Sequence, residues 1–299
     1  MKLLLTGGAG NVGAYVTREL ANHNMRHTVL DKDKPRELPD GVDFVQCDLM
    51  NLESTVETIR DFDVVLHLAA IPNAFVAVPE HVMAVNMVTC YNVLEAVRRN
   101  GIGRIVYAGS ESSSGFGIHD VALKPLYLPI DEEHPLWPHE SYSFTKRFGE
   151  EMVENYARAF GIEGLSLRYC GVWMENNLSE LTAMLAPFLR GEYASEPWFG
   201  CYVAAQDVAQ AVRLAAQYRF ADKKRIPFEA FYITAATTFY SEPTLDVMRR
   251  IYGNAPEVRD PSYFNESPCA TPFDIRKARR MLGYAPRYDC RDIQHWETL

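Results

Sequence analysis

Tyr142 and Lys146 lie four residues apart, so on a helix they share a face. Ser110 stands upstream, where the apolar run Arg104-Ile105-Val106-Tyr107-Ala108 gives way to Gly109-Ser110-Glu111-Ser112-Ser113-Ser114-Gly115. These residue types suit removal of a proton from an alcohol. A free tyrosine has a pKa near ~10, too high for a base at neutral pH. A neighbouring ammonium favours the phenolate and lowers that value. A serine hydroxyl can bond the substrate oxygen and steady its developing charge. Tyr-x-x-x-Lys alone occurs by chance in many chains, so its meaning depends on what accompanies it.

The first stretch supplies a place for an electron acceptor. Lys2-Leu3-Leu4-Leu5-Thr6 is long enough for a buried strand and stops at Gly7-Gly8-Ala9-Gly10-Asn11-Val12-Gly13. Val12, Val16 and Leu20 then follow the period of one helix face. A second run, His27-Thr28-Val29-Leu30, ends on Asp31. Strand, glycine turn, helix, strand and acid make a mononucleotide-binding unit. Gly7 permits the tight turn, Gly10 lets a pyrophosphate lie against the backbone, and Gly13 lets the helix pack close to the sheet. The helix start at Asn11 and Val12 offers N–H groups and a partial positive charge to phosphates. Asp31 is placed for the adenosine ribose hydroxyls and repels a 2′-phosphate, which favours NAD over NADP. Lys32, Lys34 and Arg36 follow closely and pull the other way.

Other elements must hold these parts in place. Val42 to Cys47 is expected to be a third strand, ending at Asp48-Leu49. Asp48 either meets an adenine amino group or caps the helix expected over Leu52 to Arg60. Asp63 to Ala70 is a continuous apolar run, as for a central parallel strand buried on both faces. Its end, Leu68-Ala69-Ala70, is small enough for a dinucleotide to pass. His67, mid-strand, suits a structural role better than a catalytic one. Glu80 to Asn100 is expected to be a long helix with Val82, Val85, Tyr91, Leu94 and Val97 on its apolar face. Asn86 falls within that face, so it is either a structural bridge or part of the site. Ser141 is the expected N-cap of the next helix, which runs to Phe160 with Phe144, Phe148, Met152 and Tyr156 as its core stripe.

The chain has 299 residues, with 47% hydrophobic and 23% charged, an ordinary globular composition. The net charge of −9 argues against nucleic acid or an anionic membrane as partner. The apolar run Val64 to Ile71 is too short to span a bilayer, and the leucines after Lys2 are too few for a secretory signal. Cys47, Cys90, Cys170, Cys201, Cys269 and Cys290 are scattered, which points to reduced thiols in the cytoplasm and to neither a metal site nor a disulfide framework.

Together these motifs resemble the extended short-chain dehydrogenase/reductases, the family of NAD-dependent sugar epimerases, dehydratases and uronate dehydrogenases. The residues that carry the resemblance are Thr6 to Gly13, Asp48-Leu49, His67 to Ala70, Asn86, Ser110 and Tyr142-Ser143-Phe144-Thr145-Lys146. Tyr202 to Ala209 is similar to the family's strand-to-helix return, and Phe273 to Pro286 to its C-terminal helix and exit. The resemblance implies that Tyr142 is the base, that Lys146 also holds the nicotinamide ribose, and that Ser110 binds the substrate oxygen. Counting back from Phe116-Gly117 would instead choose Ser112. The family's cofactor contacts fall on Gly7, Gly10, Asn11, Val12, Gly13, Asp31, Asp48, Leu49, Leu68, Ala69, Ala70, Asn86, Tyr142 and Lys146.

Asn176 resembles the asparagine that nucleotide-sugar epimerases place near a diphosphate. The arginine those enzymes carry before the Tyr202 strand is Phe199-Gly200-Cys201 here, and their Arg-Pro is replaced by Arg168-Tyr169-Cys170-Gly171. Local texture is closer to the uronate dehydrogenases, although Pro72 stands where those carry a substrate-binding serine. Trp173 and Trp198 could stack a sugar ring or pack in the core.

The expected fold is α/β: a doubly wound parallel sheet with a small C-terminal α/β lobe for substrate. The cofactor domain is expected over 1–170 with a return segment at 201–235, and the substrate lobe over 171–200 and 236–299. The expected activity is NAD-dependent removal of hydride from a carbinol of a sugar, sugar acid or related hydroxy compound. The alternatives are a nucleotide-sugar epimerase or dehydratase that retains NAD, and a non-catalytic NAD-binding regulator. A homodimer is what the resemblance implies.

Overall fold

The structure is a computed structural model that describes residues 1–116, 123–175, 178–191, 197–221 and 226–293. Its centre is a seven-stranded parallel sheet. The strands are β1 (Leu3–Thr6), β2 (His27–Asp31), β3 (Asp43–Gln46), β4 (Val64–His67), β5 (Arg104–Ser110), β7 (Glu163–Tyr169) and β10 (Phe228–Ile233). Their order is β10-β7-β5-β4-β1-β2-β3, so the winding reverses between β1 and β4. A sheet of this kind binds ligands at the carboxyl ends of its strands, at that reversal.

Alternating side chains of β1 feed two cores. Leu3 and Leu5 pack with Val16 and Leu20 of α1 (Asn11–Asn22) and Val208, Ala211 and Val212 of α6 (Ala205–Gln217). Leu4 packs on the other face with Val93, Leu94 and Val97 of α3 (Pro79–Arg99) and Val153 of α4 (Ser141–Phe160). α2 (Leu52–Thr58) lies beside α3 on that face. Each leucine buried in this way contributes ~1.5–3 kcal/mol relative to exposure, so both faces favour this register.

A smaller cluster gathers the short paired strands β8 (Val172–Trp173) and β9 (Val203–Ala204), α5 (Leu178–Leu189), α7 (Thr244–Tyr252) and the stretch carrying Tyr288, Cys290 and Ile293. Its core joins Trp173, Leu185, Tyr202, Phe239, Tyr240, Val247 and Ile293. Trp173 is therefore a core residue, stacked at 4.3 Å on Tyr202, and not a free sugar platform. The strand β6 (Tyr127–Leu128) pairs with β11 (Glu257–Val258), and α8 (Pro261–Glu266) and α9 (Arg276–Leu282) send Phe264, Ala278 and Leu282 into the core beside α6 and β10. Asn176 and the Trp198 side chain lie outside the described residues.

Helix α4 departs from its expected design. Its N-cap is Glu140, not Ser141, because a carboxylate one residue earlier can bond two amides at once. Glu140 accepts from the Tyr142 and Ser143 amides, both at 2.6 Å, and the Ser143 hydroxyl completes a capping box. The buried face carries Ser143, Thr145, Lys146, Gly149, Glu150, Val153 and Ala157. The expected stripe of Phe144, Phe148, Met152 and Tyr156 is half-buried or exposed. The reason is room. A side chain at Gly149 would come within 2.2 Å of the Tyr107 hydroxyl, so α4 lies on β5 through small and polar residues. Tyr91, expected on the apolar face of α3, is likewise exposed.

Candidate functional site

The glycine turn is shaped by what the chain cannot accommodate. Gly7 has φ +76°, and a side chain there would strike the Ala69 amide at 2.6 Å. A Cβ at Gly13 would lie 2.2 Å from the Gly7 carbonyl. Gly13 thus seats the first turn of α1 on the glycine turn itself, a closer partner than the sheet expected for it. A side chain at Gly10 would meet only the Gly7 carbonyl, at 3.2 Å, which leaves the outer face of the turn open to a pyrophosphate. Asn11 and Val12 begin α1 directly behind it.

Asp31 ends β2 and accepts from the Ala9 amide at 3.0 Å, tying the acid to the turn. Asp48 is exposed and accepts from the Met50 amide at 3.0 Å. It does not cap α2; Asn51 does, by accepting from the Ser54 amide. Leu49 is buried beneath it. Leu68, Ala69 and Ala70 leave β4 half-buried beside the turn. His67 is buried, shares a 2.8 Å hydrogen bond with Thr6, and is pushed down to about 3 by burial and by Lys146, so it is a neutral structural residue.

Asn86 is a bridge. Its amide oxygen accepts from the Ile71 amide at 2.7 Å, and its NH2 donates to the Ile71 carbonyl and to the Thr145 hydroxyl, each at 3.1 Å. It fastens the segment after β4 to the helix that carries Tyr142 and Lys146.

Ser110, Tyr142 and Lys146 gather where α4 passes the end of β5. Strand β5 continues to Ser110, beyond the expected Ala108, and Glu111–Ser114 then make one 3-10 turn. Ser110 acts on the Tyr142 hydroxyl and favours its phenolate. The Ser110 hydroxyl oxygen accepts from the Ser112 hydroxyl at 2.9 Å and the Ser112 amide at 3.1 Å, so Ser112 backs Ser110. The Lys146 ammonium is buried, donates to the Ala108 carbonyl at 2.8 Å, and lies 5.5 Å from the centre of the Tyr142 ring. Burial pushes Lys146 down to about 8. Burial also raises the Tyr142 hydroxyl above its ordinary value; Ser110 opposes this, and Glu111 and Glu140 add to it. Among the protein's own groups, then, burial outweighs the help expected from Lys146.

Sequence reasoning missed Glu111 and Tyr169. Glu111 was visible as the one acid in a serine run, but its burial depends on distant segments. Tyr169 ends β7 directly opposite Ser110. Arg168, just before it, is buried and bonded to Glu150 of α4 at 2.7 and 2.9 Å, so it is committed inside the protein. Among the described residues no set of three His, Cys, Asp or Glu side chains could hold a metal ion.

The model of the NAD dependent epimerase/dehydratase family matches residues 3–228. The chain is 26% identical over 319 residues to the UDP-glucose 4-epimerase of Corynebacterium glutamicum, covering 98% of this chain and 93% of that one. It is 28% identical over 170 residues to the uronate dehydrogenase of Pseudomonas syringae pv. tomato, covering 56% of this chain and 58% of that one. Several relatives, this one among them, are spanned over less than two thirds of their length. The UDP-glucose 4-epimerase of Thermotoga maritima shares the fold, with a TM-score of 0.71 at 21% identity over 100% of this chain and 99% of that one. The glycine turn, the acid at the end of β2 and the matched span lead to one statement: the chain belongs to the NAD-dependent epimerase/dehydratase family, an enzyme family whose cofactor is NAD.

Proposed function

We propose that this protein oxidises a carbinol of a sugar, sugar acid or related hydroxy compound, with Tyr142 as base. The observation that carries this reading is the cluster at the end of β5, where the Lys146 ammonium lies 5.5 Å from the centre of the Tyr142 ring and Ser110 favours the phenolate. Ser110 orients the substrate oxygen, and Tyr142 takes its proton. Lys146 holds positive charge beside the phenol and faces the ribose hydroxyls. Gly7, Gly10, Gly13 and the start of α1 hold the pyrophosphate, Asp31 the adenosine ribose, and Asp48 the adenine. NAD supplies the hydride acceptor and a positive ring that favours the phenolate. The ligand cleft falls between the cofactor domain (1–170 with 201–235) and the lobe of 171–200 and 236–299.

A free sugar or sugar acid suits the site better than a nucleotide sugar. A diphosphate needs cationic partners, and Arg168 is bound to Glu150. The second reading, epimerisation with NAD retained, is supported by the similarity to UDP-glucose 4-epimerases, one across nearly the whole chain. Release of NADH into solution separates the two.

A homodimer through α3 and α4 is supported by the exposed apolar residues Val88, Tyr91, Phe148 and Phe160 on these packed helices. Cytoplasmic residence is supported by the cysteines, all of them free thiols. Among the described residues, no helix is long and apolar enough to cross a membrane.

Replacement of Tyr142 by Phe tests the mechanism. Turnover should fall by about 10³-fold, while NAD binding, read by fluorescence titration, stays within about twofold, since the hydroxyl contributes one hydrogen bond at most. Undiminished turnover would remove Tyr142 from the chemistry.

A further inference from the structure

The turn that closes β5 carries the serines Ser110, Ser112, Ser113 and Ser114, all of them buried. A serine hydroxyl has one hydrogen and two lone pairs. Three of these hydrogens are committed inside the turn. Ser114 gives its hydrogen to the Glu111 carbonyl at 2.5 Å, and Ser113 gives its own to the Ser110 carbonyl at 2.7 Å. Ser112 gives its hydrogen to the Ser110 hydroxyl oxygen at 2.9 Å. The Ser112 amide donates to the same oxygen at 3.1 Å. Both lone pairs of Ser110 are therefore filled, and its hydrogen is the one left to offer.

The turn is held in this arrangement from outside. Gly115 closes it in the left-handed region at φ +85°, where a Cβ would lie 2.2 Å from the Trp137 carbonyl. The Trp137 amide donates to the Ser114 carbonyl at 3.4 Å. On the strand side, Ser110 is the last residue of β5 and lies opposite Tyr169 of β7. Helix α4, with Tyr142 and Lys146, packs on both β5 and the turn.

An oxygen whose lone pairs are filled neither takes a proton nor accepts a further hydrogen bond. It can only donate. A fixed donor suits an oxygen on which negative charge develops, because nothing has to rearrange as that charge forms. The action of Ser110 on Tyr142 has the same sign, since it favours the phenolate.

We propose that Ser112 is a positioning residue: its amide and hydroxyl fill the lone pairs of Ser110 and make Ser110 a one-way donor to the substrate oxygen. In the oxidation, the substrate O–H bond breaks and its proton passes directly to the Tyr142 phenolate oxygen. The hydride leaves the carbinol carbon for NAD, and Ser110 keeps its own hydrogen throughout. A proton relay through Ser110 is closed. The inference rests on the reading of Ser110 and Tyr142 as reacting residues and deepens it.

Neutron diffraction from deuterium-exchanged crystals of the NAD-bound protein tests the arrangement without substrate. The expected result is a deuterium on the Ser112 oxygen directed at Ser110, with the Ser110 deuterium directed away from Ser112. A Ser110 deuterium directed at the Ser112 oxygen would overturn the proposal. The second test is a double-mutant cycle on single-turnover NADH formation, run with whichever free uronic acid, aldose or hydroxy acid is oxidised. Ser110→Ala should slow it about 10²-fold. Ser112→Ala keeps the amide and loses the hydroxyl, and should slow it about tenfold with the half-saturating substrate concentration within about twofold. Ser112→Thr restores the hydroxyl and should recover most of that loss. In the Ser110→Ala background, Ser112→Ala should cost less than about twofold, because it acts through Ser110. The full tenfold cost in that background, or no cost with Ser110 present, would overturn the proposal. If the deuterium lies as expected but no such compound is oxidised, the oxidation reading fails and Ser110 remains a fixed donor. If oxidation appears with the deuterium reversed, the proposal alone fails.

Discussion

The two ends of the site are made of different material. The end proposed for the dinucleotide is main chain: a glycine turn, a helix start and the amide that Asp31 holds. The end proposed for the reaction is side chain: a serine from β5 and a tyrosine and lysine from α4. The first end works by what is missing, since a Cβ at Gly7 or Gly13 would collide with backbone. The second works by what is buried together: Ser110, Glu111 and Glu140 all act on the proton affinity of Tyr142. A backbone site tolerates little change in shape. A side-chain site tolerates shape changes better and charge changes worse.

Three substitutions probe that contrast, taken from the largest effect. Arg168→Met leaves the buried Glu150 on the inner face of α4 with only the Ser166 hydroxyl at 2.7 Å and a longer ion pair to Arg147 at 3.8 Å. It should cost about 3–5 kcal/mol in denaturant unfolding, and a loss under about 1 kcal/mol would mean the pair does not anchor the helix to β7. Gly13→Ala places a methyl group 2.2 Å from the Gly7 carbonyl. It should cost about 1–3 kcal/mol and weaken NAD binding by at least about tenfold as the turn shifts; unchanged binding would show that the turn is not the pyrophosphate cradle. Glu140→Ala removes the cap of α4 and should cost about 1 kcal/mol. It also removes a negative charge that raises Tyr142, so the Tyr142 ionisation should move to lower pH. Stability without any change in that ionisation would confine Glu140 to capping.

The same contrast explains what the sequence made legible. The glycine turn, Asp31 and the order of strands through β5 could be read directly, because backbone geometry forces those residue types at those positions. Tyr142, Lys146 and Ser110 were identifiable as a set, and the structure brings them together. Asn86 was left open between bridge and active site, and its bonds to Ile71 and Thr145 show the bridge. The inner face of α4 was misread because aromatic periodicity points to a core, whereas the close approach to Tyr107 demands Gly149 and small neighbours. The cap was misread because Ser141 is the commoner cap type, while Glu140 reaches two amides. Glu111 was invisible as a buried acid, since nothing local to it in the sequence reveals its burial.

The most direct test of the central claim is NADH absorbance when the protein and excess NAD meet free uronic acids, aldoses and hydroxy acids in turn. The account predicts continuing, stoichiometric NADH production with one of these classes. A flat trace with all of them, alongside interconversion of UDP-sugars, would contradict it and make the protein an epimerase that keeps its NAD.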